Sequence, residues 1–157
     1  MSVAFVKEPN EDQVEVLPDR DLGTDANLVT PQGLALLDAE LKRLGDAIEE
    51  ARTAGDKIAL ATLNRDLRYV RARRASAELV EAPSDPDKVH FGSRVTIERD
   101  DGRRQVFTIV GIDEADPAQG LVSYLAPLAR SLLGKTVGDV VKAGANEAEI
   151  VAIEIDA

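Results

Sequence analysis

The stretch FTIVGIDEADPAQGLVSYLAPLARSLLGKTVGDVV, residues 107–141, decides the fold. It opens on the apolar end of a strand, turns through Asp113, Glu114 and Asp116 ahead of Pro117, and resumes extended structure over 121–124. Pro127 then starts a short helix, because the N–H it lacks is one that a first helical turn leaves unpaired anyway. Gly134 stops that helix from the position just beyond its end. Upstream, residues 89–98 alternate around Phe91, Val95 and Ile97, and Asp100-Asp101-Gly102 is a hairpin turn into a strand over 106–112. That second strand is almost continuously apolar at its end and is expected to be central. Segments 137–142 and 148–155 finish an antiparallel sheet, the last alternating as an outer strand would. Strands with a single helix make an α+β domain over 89–157.

Residues 30–81 have a different period. Thr30 is an N-cap candidate, Pro31 suits the first helical position, and Leu34, Leu37, Leu41, Leu44, Ile48 and Ala51 follow at spacings of three and four. That is a coiled-coil seam. Gly55-Asp56 breaks it, and a second stripe runs through Leu60, Leu63, Leu67, Val70 and Ala77, interrupted by Arg74. The first helix is acid-rich, whereas the second carries Arg65, Arg68, Arg71, Arg73 and Arg74. Two such helices joined by a short break predict an antiparallel hairpin. Residues 82–88 hold two prolines and read as a stiff linker.

Composition narrows the chemistry. The 157 residues carry a net charge of −10, and residues 1–29 hold seven acids against two bases, with Pro9, Pro18 and Gly23 interspersed. This leader is expected to be disordered, or to cover a basic surface when free. Absent cysteines exclude disulfides and thiolate chemistry, and a lone His90 argues against a metal site or a catalytic triad. His90 itself is expected to be structural or exposed. No stretch has the length and apolarity of a membrane span or the pattern of a signal peptide, which points to the cytoplasm. An acidic chain is a poor sequence-independent binder of duplex DNA, so any contact with nucleic acid is expected to be indirect.

Asp113-Glu114-Ala115-Asp116, Gly120, Ala126-Pro127-Leu128-Ala129-Arg130, Leu133-Gly134-Lys135 and Gly138-Asp139-Val140 closely resemble the C-terminal domain of the GreA/GreB family. Thr30-Pro31-Gln32-Gly33 with its leucine ladder, and Arg68-Tyr69-Val70-Arg71-Ala72-Arg73-Arg74 running on to Leu79-Val80, resemble the two arms of that family's coiled coil. The resemblance covers residues 30–157 and is strongest over 89–155. It implies an FKBP-like C-terminal domain and a bacterial regulator of transcription elongation that binds RNA polymerase at its secondary channel. It further implies that Asp113, Glu114 and Asp116, with Ala126, Pro127, Leu128 and Ala129, face the channel rim. Ala126 stands where the family usually has serine, which removes a hydroxyl. Lys135 and Asp139 read as turn structure. The arginines of the second helix have two readings: a solvated face paired with Asp38, Glu40, Asp46, Glu49 and Glu50, or a basic stripe toward RNA or an acidic polymerase surface.

The hairpin tip departs from the family. There, an Asp is followed three residues on by Glu and then by a further acid, and these carboxylates help hold a second metal for RNA hydrolysis. Here the tip reads Ala54-Gly55-Asp56-Lys57-Ile58-Ala59-Leu60-Ala61-Thr62, so Asp56 is the only retained candidate, with Ala59 and Thr62 in place of the acids. Each arm also looks about eight to ten residues shorter, a loss of about 12–15 Å of reach at helical rise. The expectation is a monomeric, non-catalytic binder without a cofactor of its own, Mg²⁺ entering only at the polymerase centre if the tip works. The alternatives are a cleavage-competent elongation factor, a short-armed Rnk-type regulator, or an interaction protein independent of polymerase. Peptidyl-prolyl isomerase activity is not expected, since only Phe91, Phe107 and Tyr124 could line an aromatic pocket in this domain.

Overall fold

Thr30 does what its position predicts: its Oγ1 accepts the Gly33 N–H at 3.0 Å, and helix α1 follows over Pro31–Ala54. The computed structural model describes residues 15–81 and 85–155. The described residues fall into two compact units, 15–24 with Leu37–Ala75, and Asp25–Leu36 with 76–81 and 85–155.

The first unit is the helical hairpin. Gly55, at φ 68°, ends α1 in the left-handed region, and α2 runs over Lys57–Ser76. Leu37, Leu44, Ile48 and Ala51 of α1 are buried, as are Leu60, Ala61 and Val70 of α2, so the seam read from the sequence is the one that packs. One position differs. The stripe places Arg74 on the seam, yet it is Arg73 that is 3% exposed, its Nη1 donating to the Leu22 carbonyl at 3.2 Å. A guanidinium tolerates that burial because it brings its own donors to an acceptor.

That bond also corrects the picture of the leader. Residues 1–14 lie outside the described residues, but from Leu17 onward the segment has partners on α2 rather than none. Arg68 binds the Asp19 carboxylate and the Leu17 carbonyl, and Arg20 lies over the Tyr69 ring. Polar and charged contacts to one helix hold what apolar burial alone does not.

The second unit is built on a five-stranded sheet in the order β5-β4-β3-β7-β6: β3 Ser93–Arg99, β4 Arg104–Val110, β5 Leu121–Ser123, β6 Val140–Ala143 and β7 Asn146–Ile155. The Asp101-Gly102 turn joins β3 to β4, with Gly102 at φ 83°. There the Arg103 N–H, and then its side chain, holds the Asp101 carboxyl below the usual carboxylate range. Helix α3, Pro127–Leu132, contributes Ala129 and Leu132, both fully buried, to a core with Val95, Ile97, Ile109 and Ile150. Phe91, Phe107 and Tyr124 pack against this core, and Phe91 meets Tyr124 edge-on at 5.7 Å.

Several expectations change. The middle strand is β3, not the strand expected over 106–112, although β4 does have a neighbour on each side. The last strand is interior and β6 is an edge, because alternation in β7 reports one wet face rather than a missing neighbour. The sheet is not wholly antiparallel, since β4 and β5 run parallel. The 3-10 turns Ile112–Glu114 and Pro117–Gln119 carry the chain back alongside Thr108 of β4 before β5 begins. Strand β6 starts at Val140, the preceding residues being a turn in which Asp139 Oδ2 accepts the Thr136 N–H at 2.8 Å.

A second sheet was not legible in the sequence. Leu28–Val29 (β1) pairs in parallel with Glu78–Leu79 (β2), so α2 stops at Ser76 rather than running on to Leu79-Val80. The Asn27 carbonyl accepts from Glu78 N at 2.8 Å, and Val29 O accepts from Val80 N at 3.0 Å. Of the expected linker over 82–88, residues 82–84 lie outside the described residues. Lys88 forms a bridge with Thr136.

Candidate functional site

The acidic turn divides into groups with different fates. Glu114 is 9% exposed, and its carboxylate accepts from Gly111 N at 3.1 Å, from Thr30 N at 3.3 Å and from the Thr30 hydroxyl. A carboxylate with that many donors is a structural acceptor, joining the start of α1 to the end of β4. Gly33 makes room for it, and Gly111 makes room for the backbone beside it. A Cβ on Gly33 would lie 2.3 Å from Glu114 Cδ, and one on Gly111 would lie 2.3 Å from the Leu28 carbonyl oxygen. Glu114 is therefore not a residue of an exposed docking surface. Asp113 is exposed and Asp116 is half-buried.

The segment expected to face a partner divides in the same way. Ala126 occupies the N-cap position of α3 with no side-chain cap, as the absent hydroxyl implies, and Pro127 is exposed. Leu128 packs on the core and Ala129 is 0% exposed, which removes Ala129 as a contact. The rim-facing candidates that reach solvent are thus Asp113 and Pro127, with Asp116, Ala126 and Leu128 in part. Beside them, Leu36, Val80, Phe91, Val110, Leu121 and Ile155 contribute to an apolar cleft of about 300 Å³ that Thr30 and Glu114 also line. His90 is half-buried; its N–H donates to Ser93 Oγ at 2.9 Å, and its Nε2 is buried without a hydrogen-bond partner among the described residues.

At the hairpin tip, Asp56 Oδ1 accepts the Ala59 N–H at 3.1 Å. This makes Asp56 the N-cap of α2, a role that needs no catalytic reading. Asp56→Ala is expected to destabilise the hairpin by about 1 kcal/mol, measured by thermal unfolding. Among the described residues, no three His, Asp or Glu side chains gather as they would around a metal.

The basic face of α2 is engaged. Arg74 Nε pairs with Asp38 at 2.7 Å, as the solvated-face reading expects. Glu40 and Glu49 pair instead along their own helix with Arg43 and Arg52, and Arg43 holds the Glu40 carboxyl below its usual range through a side-chain hydrogen bond. Arg68 is taken by Asp19 at 2.6 Å, and Arg65 Nη2 lies 3.4 Å from Asp66. Arg71 is exposed.

Comparison with known proteins adds the family. Residues 83–155 match the model described as "Transcription elongation factor, GreA/GreB, C-term". A protein named transcription elongation factor GreB from Pseudomonas aeruginosa is 37% identical over 137 residues, covering 75% of this chain and 80% of that one. This chain belongs to the GreA/GreB family of transcription elongation factors. A GreB from Neisseria meningitidis serogroup B is 34% identical over 152 residues, covering 82% of this chain and 93% of its own length. Among solved structures, GreA factor homolog 1 (Gfh1) of Thermus thermophilus is 21% identical and covers 83% of this chain and 99% of its own, at a TM-score of 0.42. Among the described residues no helix is long and apolar enough to cross a membrane.

Proposed function

We propose that this GreA/GreB-family chain regulates transcription elongation by binding RNA polymerase at its secondary channel, without stimulating transcript cleavage. The observation that carries the second half is the tip. Its one acid, Asp56, is committed to capping α2, and Ala59 and Thr62 bring no carboxylate beside it. Hydrolysis assisted by a second metal needs several oxygen ligands converging on the ion, and one capping carboxylate does not supply them. Docking would use Asp113 and Pro127, which face solvent, with the partly exposed Asp116, Ala126 and Leu128. The chain would then act by occupying the channel rather than by supplying ligands within it.

The test uses backtracked RNA polymerase complexes, with the protein alone and in competition with a cleavage-competent GreB. The expected outcome is no shortened RNA from the protein alone and a dose-dependent loss of the competitor's cleavage. Shortened RNA from this protein alone, abolished by Asp56→Ala, would overturn the proposal.

A further inference from the structure

None of the proposed docking groups lines the apolar cleft of the second unit. Its walls come from separate segments: Leu36 on α1, Val80 just beyond β2, Phe91 ahead of β3, Val110 of β4, Leu121 of β5 and Ile155 of β7. At about 300 Å³ it falls at the small end of the range that single organic ligands occupy. Walls converging from so many segments enclose one small molecule, whereas a protein interface spreads over a broad, shallow face. Leu36 remains 58% exposed, so this wall has no cover within the chain.

Charge decides the kind of ligand. Among the described lining residues none is cationic, so a phosphate or a carboxylate finds no counter-charge there. Two lining residues are acids, Glu81, which is exposed, and Glu114, which is buried. Neutral donors satisfy the Glu114 carboxylate only in part. Its Oε2 accepts the Gly111 and Thr30 amides, and its Oε1 accepts the Thr30 hydroxyl. A carboxylate has about four acceptor positions, so one remains, on Oε1. Glu114 pairs with no lysine or arginine among the described residues, although a buried charge is ordinarily matched by an opposite one.

We infer that the cleft binds a small apolar amine, its ammonium on the open position of Glu114 and its hydrocarbon body against Phe91, Val110 and Leu121. An ammonium brings donors and the charge that Glu114 lacks, and Glu81 adds to the negative potential. The hydrocarbon body displaces water from walls that cannot hydrogen-bond to it. The cleft also touches Thr30 and Val80, which follow β1 and β2, and the Val80 N–H donates to Val29 O at 3.0 Å. A bound amine therefore rests beside the end of each strand of the β1–β2 pair and ties that pairing to occupancy. The inference requires no binding to polymerase.

The test is a titration of the isotope-labelled full chain with 2-phenylethylammonium, polymerase absent, followed through the amide resonances by NMR. Saturable shifts are expected at Gly92, Thr108 and Leu121, which line the cleft, with slower hydrogen exchange of the Val80 amide. The neutral 2-phenylethanol, of the same skeleton, is expected to bind about tenfold more weakly, the worth of one charge-assisted hydrogen bond. The anionic 3-phenylpropanoate is expected to give no saturation. Glu114→Gln, with the amide spectrum of a folded chain, should abolish the preference for amine over alcohol. Glu81→Gln, at an exposed position, should reduce that preference without disturbing the fold, and Leu36→Ala should weaken both ligands alike. Equal affinity for amine and alcohol would overturn the inference, as would shifts that map elsewhere or fail to saturate. So would tighter binding of an apolar lysine-bearing peptide than of the amine, which would assign the cleft to a partner protein.

Discussion

Glu114→Ala is expected to lower stability by about 3 kcal/mol, because buried donors left without an acceptor cost about 1–3 kcal/mol each. Three donor groups converge on this carboxylate: the Gly111 amide, the Thr30 amide and the Thr30 hydroxyl. No neighbouring side chain replaces it when it is cut back to a methyl group. For a chain of this size the loss corresponds to a fall in Tm of about 10 °C by scanning calorimetry. Glu114→Gln retains one acceptor oxygen and is expected to recover about half of the difference. Asp113→Asn, one residue away on the exposed side of the same turn, is the control and should change stability by less than about 1 kcal/mol. Equal losses at 113 and 114 would contradict the division of the acidic turn into a buried acceptor and an exposed acid.

Gly33→Ala is the second large effect, and its sign depends on Glu114. In the natural chain the new Cβ would lie 2.3 Å from Glu114 Cδ and 2.4 Å from Oε2. The carboxylate is pinned by its donors and cannot swing aside, so the substitution is expected to cost about 2–3 kcal/mol, as overpacked interiors do. With Glu114→Ala already in place the obstacle is gone. Alanine then brings its better helix propensity to α1, and the same change should be neutral or stabilising by up to about 1 kcal/mol. The double-mutant cycle should therefore give a coupling of about 3 kcal/mol between positions 81 residues apart in the chain. Additive losses would mean that Gly33 serves only the backbone.

These two positions also mark where the sequence stops being readable. Thr30 as an N-cap, the leucine seam and the Asp100-Asp101-Gly102 turn follow from local chemistry, and each is found where the pattern puts it. The partner of Thr30 lies 84 residues away, and no periodicity points from one to the other. Gly33 sits mid-pattern as a poor helix former, and Gly111 follows a strand, so each looks like a local defect until the group it accommodates is known. The β1–β2 pair escaped for another reason, since two residues on each side are too few to carry a period. At the candidate site, the family resemblance, not pattern, pointed to the acidic turn and the start of α3, and it could not separate Asp113 from Glu114, nor Pro127 from Ala129. Adjacent residues in a turn or a short helix differ in burial by direction alone. The leader's attachment was likewise unreadable, because it rests on isolated polar contacts rather than on a repeating apolar face.

The parallel pairing of Leu28–Val29 with Glu78–Leu79 has a consequence for how this chain can change length. The hairpin leaves just after one of these strands and returns just before the other, so its two ends are clamped side by side. An insertion in one arm alone would put the seam out of step or strain the clamp, whereas matched insertions of seven residues in each arm would preserve both. On this geometry arm length is a paired quantity whose permitted steps are about 10 Å, the rise of one heptad. The length of the hairpin becomes a ruler with coarse graduations, adjustable without altering any residue of the sheet at its base.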